Sequence, residues 1–225
     1  QESGSGKPFF NHWMTVSNHR PFTYPNGKVD IPGDARSRKG GVKYTDYALR
    51  KFFEMAKEQV WYKNTVFVII ADHCASSAGD IELPLDKYRI PAMIFSEGFI
   101  EPRKFTKTMS QIDVMPTLLG LLNFNYQSKF LGQDALKKEF QPKAYIATYE
   151  DLGFVKDNYL TVISPVRKIR QYVLSPQKNK LNPGFNMYFD EKSLKKANQK
   201  KKFVEETIST YQSTSYWLNK NQLNR

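Results

Sequence analysis

The chain has 225 residues, 40% of them apolar and 14% aromatic, which is enough for one sizeable domain with its own core. The longest apolar runs fall far short of the roughly 20 residues that a membrane-spanning helix needs, and the single cysteine excludes an internal disulfide and a cysteine-rich zinc module. Lysine and arginine exceed aspartate and glutamate by 34 to 22, a net charge of +12 that favours anionic partners such as nucleic acid, phospholipid headgroups or polyanionic envelope polymers.

The N-terminal part of the chain contains the first candidate site. Residues 1–7 are predicted to be a linker or a cut end, and the aromatic segment 8–16 predicts a strand in which His12 serves core or interstrand hydrogen bonding. A long loop rich in proline and glycine follows, and such loops inside a domain are often functional. His19 and Arg20 open it. A guanidinium fork beside an imidazole can recognise a phosphate or sulfate, the alternative being an ordinary pair of surface residues.

A helix-strand step then leads to the second candidate site. Apolar residues recur at helical spacing over 43–62, and the branched and aromatic run 65–71 predicts a strand buried on both faces. It ends on Asp72 and His73. Working groups gather beyond the carboxyl ends of strands in open α/β sheets, so this pair is placed to hold a metal ion. The alternative is a turn with a capping aspartate, and Cys74 fits a small side chain in that turn better than a nucleophile or a ligand.

The remaining segments complete an α/β layered, mostly parallel sheet flanked by helices, followed by an antiparallel meander and a terminal helix. A short buried strand is predicted at 90–95 and a helix at 110–122, where Pro116 falls in the first turn. The meander is predicted from three alternating runs, 144–149, 159–163 and 170–174, and the terminal helix spans 191–219 with Phe203, Ile208, Tyr211 and Trp217 available for docking. The lysine-rich stretch 195–202 reads as a solvated helix face.

Six motifs follow one another along the chain. They are Lys7-Pro-Phe-Phe, Thr15-Val-Ser-Asn-His-Arg-Pro-Phe22, Gly41-Val-Lys-Tyr-Thr-Asp-Tyr-Ala-Leu49, Val68-Ile-Ile-Ala-Asp-His-Cys-Ala75, Tyr88-Arg-Ile-Pro91 and Gln111-Ile-Asp-Val-Met-Pro-Thr-Leu118. In this order they resemble the sulfatase family of the alkaline phosphatase superfamily, and the branch most similar to this chain contains the lipoteichoic acid synthases and related phosphoglycerol transferases. The resemblance covers nearly the whole chain and continues through Phe130-Leu-Gly-Gln-Asp134.

The resemblance implies a role for each candidate residue. Asp72 and His73 match the pair that ligates the catalytic divalent ion, usually manganese in this branch, with zinc, magnesium and calcium as alternatives. His19 matches the histidine that contacts the phosphoglycerol group, and Arg20 is expected beside it in substrate binding. In that family a threonine attacks phosphorus and a covalent phospho-enzyme follows.

The resemblance also implies that part of the catalytic machinery lies outside this chain. In the family, the nucleophile and an acidic metal ligand precede a strand like the one at 8–16. We therefore expect residues 8–135 to be the C-terminal portion of a sulfatase-like catalytic domain and 136–225 to be antiparallel strands and a helix of the same domain. Alone, the chain should bind metal poorly and turn nothing over, and its exposed sheet edge would invite association. The parent protein is expected to work on an anionic lipid or a phosphate or sulfate ester, outside the cytoplasm and anchored to the membrane by segments absent here.

Two alternatives remain at this stage. One is a sulfuric ester hydrolase of the same superfamily, because the formylglycine signature would lie upstream of this chain. The other is a non-catalytic basic module for nucleic acid or an anionic polymer, with aromatic side chains stacking on bases. The aromatic residues fall mainly at core-like spacings, and the sequence carries no RNP, zinc-finger or helix-turn-helix signature, so nucleic acid is the weaker alternative. The sequence does not fix the oligomeric state.

Overall fold

The computed structural model describes residues 6–74, 82–174 and 195–223, which form three α-helices and seven β-strands. Neither of the two 19-residue helices, nor any other helix in the described part of the chain, is long and apolar enough to cross a membrane. The helices are α1 (Arg38–Ala56), α2 (Val114–Leu121) and α3 (Lys201–Asn219), and the strands are β1 (Phe67–Ile70), β2 (Ala92–Phe95), β3 (Lys143–Ala147), β4 (Leu152–Lys156), β5 (Tyr159–Ser164), β6 (Lys168–Val173) and β7 (Lys195–Lys196).

The chain divides into two structural units. The N-terminal unit combines Gln1–Phe67 with Phe95–Pro102, and the C-terminal unit combines Val68–Ile94 with Arg103–Arg225. In the N-terminal unit, α1 begins five residues earlier than the apolar spacing predicts, because the Ser37 hydroxyl accepts a hydrogen bond from the Gly40 amide (3.0 Å) and caps the helix.

Aromatic packing holds the N-terminal unit together. The Phe53 ring lies 5.2 Å from both Phe67 and Phe95, and Phe67 stacks on Phe95 at the same centroid distance. Rings at these separations add stabilisation beyond their buried area, about 0.5–1.5 kcal/mol for each pair. This cluster fixes the start of β1 and the end of β2, the two strands of a small sheet.

The prediction of a strand at 8–16 is wrong. These residues form no regular secondary structure and pair with no other strand in the described chain. Phe9 instead packs edge-on against Trp61 (6.2 Å) and Trp13 against Phe52 (5.5 Å), so side-chain contacts replace sheet pairing. His12 is correspondingly exposed, which contradicts the predicted core role.

The strand at 65–71 exists but is shorter and less buried than predicted. β1 covers four residues, and its side chains alternate between half-buried and exposed, with Val68 and Ile70 each 36% exposed. A run that is apolar on both faces is typical of a strand covered on both sides. The exposed side chains Val68 and Ile70 lie on one face of β1, so the described residues do not fully cover that face.

The C-terminal unit contains the main hydrophobic core and a five-stranded antiparallel sheet in the order β3-β4-β5-β6-β7. The core is built from buried side chains of β4, β5 and β6 around Leu83, which is fully buried. The predicted meander is present, but β4 was missed because Gly153 reads as a break. Glycine is required there: a Cβ at Gly153 would lie 2.6 Å from both Ile146 and Leu83 side chains. The core comprises Leu83, Val155, Leu160, Val162, Tyr172 and Leu174.

The predicted helix at 110–122 is divided into a 3-10 turn, Gln111–Asp113, and α2. Ser110 and Asp113 form a reciprocal capping box, in which the Ser110 side chain accepts from the Asp113 amide and the Asp113 carboxylate accepts from the Ser110 amide. Pro116 lies in the first turn of α2, as expected. The capping box therefore sets the direction in which the chain enters α2.

The terminal helix begins later than predicted, and 191–194 of the predicted span lie outside the described residues. β7 pairs with β6, and the Gln171 side chain accepts from the Lys200 amide (2.6 Å) and donates to its carbonyl (3.2 Å). These contacts keep the chain extended up to Lys200. The lysine-rich stretch is thus an edge strand, a short connection and the first turn of α3, and not one helix face. Of the residues predicted for docking, Phe203 is buried, and Tyr211 binds the sheet through its hydroxyl.

Candidate metal centre

Asp72 and His73 lie immediately after β1, and their side chains converge. The His73 Nε2 atom is 3.3 Å from Asp72 Oδ2, and both side chains are more than 60% exposed. The other carboxylate oxygen of Asp72 accepts a hydrogen bond from the His73 amide (2.9 Å), which fixes the carboxylate in the turn. The two side chains therefore face one shared point in solvent.

The contact of the second ring nitrogen determines what His73 can offer. Nδ1 lies 2.7 Å from the Cys74 carbonyl oxygen. Because a carbonyl oxygen can only accept, Nδ1 must carry the hydrogen, and in the neutral ring the lone pair is then on Nε2. This nitrogen faces a carboxylate oxygen, also an acceptor, so a proton or a metal cation between them is needed to make the contact attractive. Cys74 contributes its carbonyl to this geometry.

The two side chains fit a divalent metal ion in separation and in chemistry. Ligands that each lie about 2.0–2.2 Å from one ion can be up to about 4.4 Å apart, and the observed 3.3 Å lies within that span. A histidine whose other nitrogen donates to a backbone carbonyl is the usual arrangement for a metal ligand. Among the described residues, no cluster of three or more His, Cys, Asp or Glu side chains is present, so Asp72 and His73 are the two candidate ligands at this point.

Gln111 contacts the same turn, a contact that the sequence reasoning missed. Its Nε2 donates to the carbonyl oxygens of Ala71 (3.1 Å) and Asp72 (2.7 Å), although these residues are about 40 positions away in sequence. On the other side, the Ala71 amide donates to the Pro91 carbonyl (3.2 Å). The main chain before the two candidate ligands is thus held from both sides.

Gln111 lies in a turn that several hydrogen bonds hold in place. It is the first residue of the 3-10 turn closed by the Ser110–Asp113 capping box. Asp113 is buried and accepts a second hydrogen bond from the Gln133 amide (2.8 Å), while the Ser110 hydroxyl also accepts from the Tyr145 amide in β3 (3.1 Å). The pattern Ser-Gln-Ile-Asp is a capping-box signature that could have located this turn in the sequence.

His19 and Arg20 belong to the N-terminal unit, whereas Asp72 and His73 belong to the C-terminal unit. Both His19 and Arg20 are exposed. The His19 Nδ1 lies 2.7 Å from the Arg20 carbonyl oxygen, so here too Nδ1 carries the hydrogen. The exposed Nε2 can therefore accept a hydroxyl hydrogen when the ring is neutral and can donate to an anion when it is protonated.

The loop that carries His19 is fixed on the first turns of α1. Phe22 is buried although its φ of 60° lies in the left-handed region, a strained conformation for a bulky residue that surrounding contacts must hold. Gly41 allows this approach, because a Cβ there would lie 2.7 Å from the Ser17 carbonyl oxygen and 3.3 Å from the Phe22 ring. Arg38 adds its guanidinium over the Phe22 ring at 5.3 Å.

Tyr24 fixes the far side of the same loop. Its hydroxyl lies 3.2 Å from the carbonyl oxygens of both Ile31 and Pro32, and its ring stacks on Tyr44 of α1 at 5.2 Å. An ion pair between Lys43 and Asp30 (2.6 Å) adds a surface link, and the lysine hydrogen bond lowers the pKa of Asp30 below its ordinary value. The long loop is therefore ordered by contacts with α1.

Comparison with known proteins places these residues in a family. A family model described as Sulfatase matches residues 1–124. Lipoteichoic acid synthase 2 of Bacillus subtilis (strain 168) is 25% identical over 69% of this chain and 27% of its own length. Phosphoglycerol transferase I of Xanthomonas campestris pv. campestris is 24% identical over 70% of this chain and 23% of its own length.

A solved structure shows the same fold. It is a protein in the alkaline phosphatase superfamily from Vibrio parahaemolyticus, with a TM-score of 0.79 and 28% identity, and the match covers 93% of this chain and 48% of that one. The chain thus spans about a quarter of the length of the two curated relatives and about half of the solved structure. Its α/β architecture is that of the alkaline phosphatase superfamily, and the match to the family model over more than half of its residues shows that the chain belongs to the sulfatase family.

Proposed function

We propose that this chain forms part of the catalytic domain of a metal-dependent sulfatase-family enzyme that transfers phosphoglycerol or a related phosphodiester headgroup. The observation that carries the proposal is the convergence of Asp72 and His73, with two acceptor atoms 3.3 Å apart and the imidazole hydrogen held on the opposite side of the ring. The headgroup is inferred from the names of the relatives, a lipoteichoic acid synthase and a phosphoglycerol transferase.

We infer that the ion is manganese, with zinc as the next candidate. One imidazole nitrogen and one carboxylate oxygen make a mixed donor set. Imidazole suits zinc, whereas a carboxylate suits manganese as well as magnesium and calcium. The donor set by itself therefore points to zinc, and manganese is preferred because the family resemblance implies it. A bound divalent ion would supply Lewis-acid polarisation of the phosphoryl oxygen and lower the pKa of the attacking hydroxyl.

The residues of this chain have distinct roles in the proposal. Asp72 and His73 hold the ion, while His19 and Arg20 recognise the headgroup. The Arg20 guanidinium offers a bidentate fork to phosphate oxygens, and the His19 Nε2 accepts from a glycerol hydroxyl or donates to the phosphate, depending on protonation. The nucleophile, a threonine by family resemblance, and an acidic ligand come from polypeptide outside this chain.

Two observations support a catalytic centre completed by further polypeptide. The described residues supply two ligands, whereas stable sites generally have three or four. Large apolar side chains of the N-terminal segment are also exposed, among them Phe10 at 73% and Val16 at 74%, and extensive apolar exposure marks surfaces that another partner covers. We therefore propose that this chain alone has no turnover and that the complete enzyme acts at the outer face of the cell membrane or in the periplasm.

Metal binding to this chain is the first test. Manganese titration of the ¹⁵N-labelled chain should broaden the amide signals of the Asp72–His73 turn selectively, because the paramagnetic ion relaxes nearby nuclei. Asp72→Ala and His73→Ala should each weaken this effect at least tenfold, since removing a direct ligand costs no less than removing its outer support. Asp46→Ala removes an exposed carboxylate on α1 and should leave the titration unchanged. An unaltered broadening pattern in the Asp72→Ala/His73→Ala double variant would refute the metal assignment.

Activity in the complete enzyme is the second test. Phosphatidylglycerol vesicles and 4-nitrophenyl sulfate serve as alternative substrates, and we expect turnover of the lipid headgroup and none of the sulfate ester. His19→Ala should lower kcat/KM by about 10–100-fold, the loss of one hydrogen bond to a charged group, while manganese affinity stays unchanged. Turnover of the sulfate ester alone would overturn the headgroup assignment and identify a sulfuric ester hydrolase.

A further inference from the structure

The backbone turn that carries Asp72 and His73 has a specific support from a distant side chain. Gln111 Nε2 donates to two successive carbonyl oxygens, those of Ala71 (3.1 Å) and Asp72 (2.7 Å). Both acceptors are carbonyl oxygens, so the amide nitrogen, and not the amide oxygen, must face them. One side chain therefore satisfies the last two main-chain acceptors before His73.

The orientation of His73 depends on this part of the main chain. Its Nδ1 donates to the Cys74 carbonyl, and its backbone amide donates to Asp72 Oδ1. Hydrogen bonds to the local main chain therefore hold both the imidazole ring and the carboxylate. A rotation of the Asp72 peptide would move both side chains. Gln111 is the side chain that contacts the carbonyl of that peptide, at 2.7 Å.

Gln111 is exposed, but hydrogen bonds of the residues on both sides of it connect it to the C-terminal unit. Gln111 lies between the two partners of the capping box, and Asp113 is buried with both carboxylate oxygens occupied by backbone amides. The Ser110 hydroxyl connects the box to β3 through the Tyr145 amide (3.1 Å). The contacts thus form a continuous path from the five-stranded sheet to the candidate ligands.

We propose that Gln111 is a positioning residue, whose side-chain amide fixes the turn from which Asp72 and His73 project and so presets them as ligands. The inference rests on the proposed metal site, but it also makes a separate statement about the metal-free chain. The two hydrogen bonds from Gln111, the clamp, hold the turn in which the Cys74 carbonyl meets His73 Nδ1. The clamp thereby selects the His73 tautomer in which Nδ1 carries the hydrogen. Gln111 touches neither the ion nor the substrate in this arrangement and acts through the backbone alone.

The test compares Gln111→Met with the wild-type chain. Methionine has nearly the same length, donates no hydrogen bond and adds no charge that could attract a cation. Gln111→Asn keeps the amide but shortens the side chain by one methylene, so it tests reach. Gln212→Met makes the same change at an exposed position of α3 and is the matched control.

Two readouts separate positioning from a general structural role. Without metal, at about pH 8 where histidine side chains are ordinarily neutral, the ¹⁵N shifts of the His73 ring report the tautomer. We expect the Nδ1–H form to dominate in the wild type and to fall substantially in Gln111→Met and Gln111→Asn. With manganese, line broadening at the turn should show a loss of affinity of about tenfold in both variants, the lower end of the effect of outer support on metal sites. The thermal unfolding midpoint should change little.

The outcomes distinguish the two proposals. An unchanged His73 tautomer in Gln111→Met would overturn the positioning role whether or not the chain binds metal. A changed tautomer with manganese affinity retained would also contradict it, because the clamp would not then preset the ligands. If Asp72→Ala binds manganese as the wild type does, the proposed metal site fails, and the tautomer measurement still decides the role of Gln111 in the turn.

Discussion

Replacement of Asp113 by alanine should strongly destabilise the C-terminal unit. The buried carboxylate accepts from the Ser110 amide and the Gln133 amide, both at 2.8 Å. Alanine leaves both amides without an acceptor. A buried donor without its partner costs about 1–3 kcal/mol, and because both sites are partly buried, water can recover some of the loss. We therefore expect the free energy of unfolding to fall by about 3 kcal/mol, a large share of the 5–15 kcal/mol typical of a domain.

Urea unfolding followed by circular dichroism measures this change. With a slope of about 2–3 kcal/mol per molar urea, a loss of 3 kcal/mol lowers the midpoint by about 1–1.5 M. Asp113→Asn should fall between alanine and the wild type, because the amide oxygen can accept from one backbone amide while its own NH₂ group opposes the other. Glu150→Ala removes an exposed carboxylate from the same unit and should shift the midpoint by no more than the equivalent of about 0.5 kcal/mol.

The result that refutes this reasoning is a loss below about 1 kcal/mol in Asp113→Ala. It would mean that water or a rearranged turn satisfies both amides, and the capping box would then be incidental to the stability of α2. Equal losses in the asparagine and alanine variants would instead attribute the effect to the negative charge. Neither result would depend on metal binding.

Two further predictions concern the sheet. Tyr211 donates from its hydroxyl to the carbonyls of Ile146 (3.1 Å) and Gly153 (3.0 Å), and burial raises its pKa to about 12 from 10.0. Since the folded state keeps the proton longer than the unfolded state, stability should fall as pH rises from 10 towards 12. Burial also raises the pKa of Tyr62 and Tyr172, so Tyr211→Phe should reduce that decline without abolishing it, at a cost of about 1 kcal/mol at neutral pH. An undiminished decline in the variant would assign it to the other tyrosines. Gly153→Ala should cost about 1–3 kcal/mol in the same unfolding assay, because the added methyl would lie 2.6 Å from Ile146 and Leu83, and a neutral effect would show that the core can give way.

Local patterns in the sequence were sufficient for the types of several elements. Apolar spacing predicts α1 and α2, and alternating runs predict β3, β5 and β6, because each of these patterns lies within the segment itself. The alternation did not predict burial, since Leu160, Thr161 and Val162 of β5 are all buried. The sequence was less informative about where helices and strands begin and end. α1 begins at Arg38 because of a cap at Ser37, and β4 contains a glycine whose purpose is a close contact with Leu83, far away in sequence.

The candidate metal site divides in the same way. The sequence places Asp72 and His73 at the end of a strand, and the motif resemblance gives them a role that remains a proposal. The sequence does not show which ring nitrogen of His73 is free, because that depends on the contact with the Cys74 carbonyl. Nor does the sequence show that Gln111 holds the turn. Contacts between residues 39 and 40 positions apart leave no local signal in a single sequence.

The sequence by itself determined the chemical groups of this protein and, through its motifs, its resemblance to the sulfatase family. Short-range periodicity indicated its helices and several of its strands. Tertiary structure alone decided which segments pair and which side chains are covered. The segment 8–16 has the composition of a strand but packs through its aromatic rings, and β1 is apolar on both faces with one described neighbour. The physical reason is that strand pairing and burial depend on a partner surface that is distant in sequence.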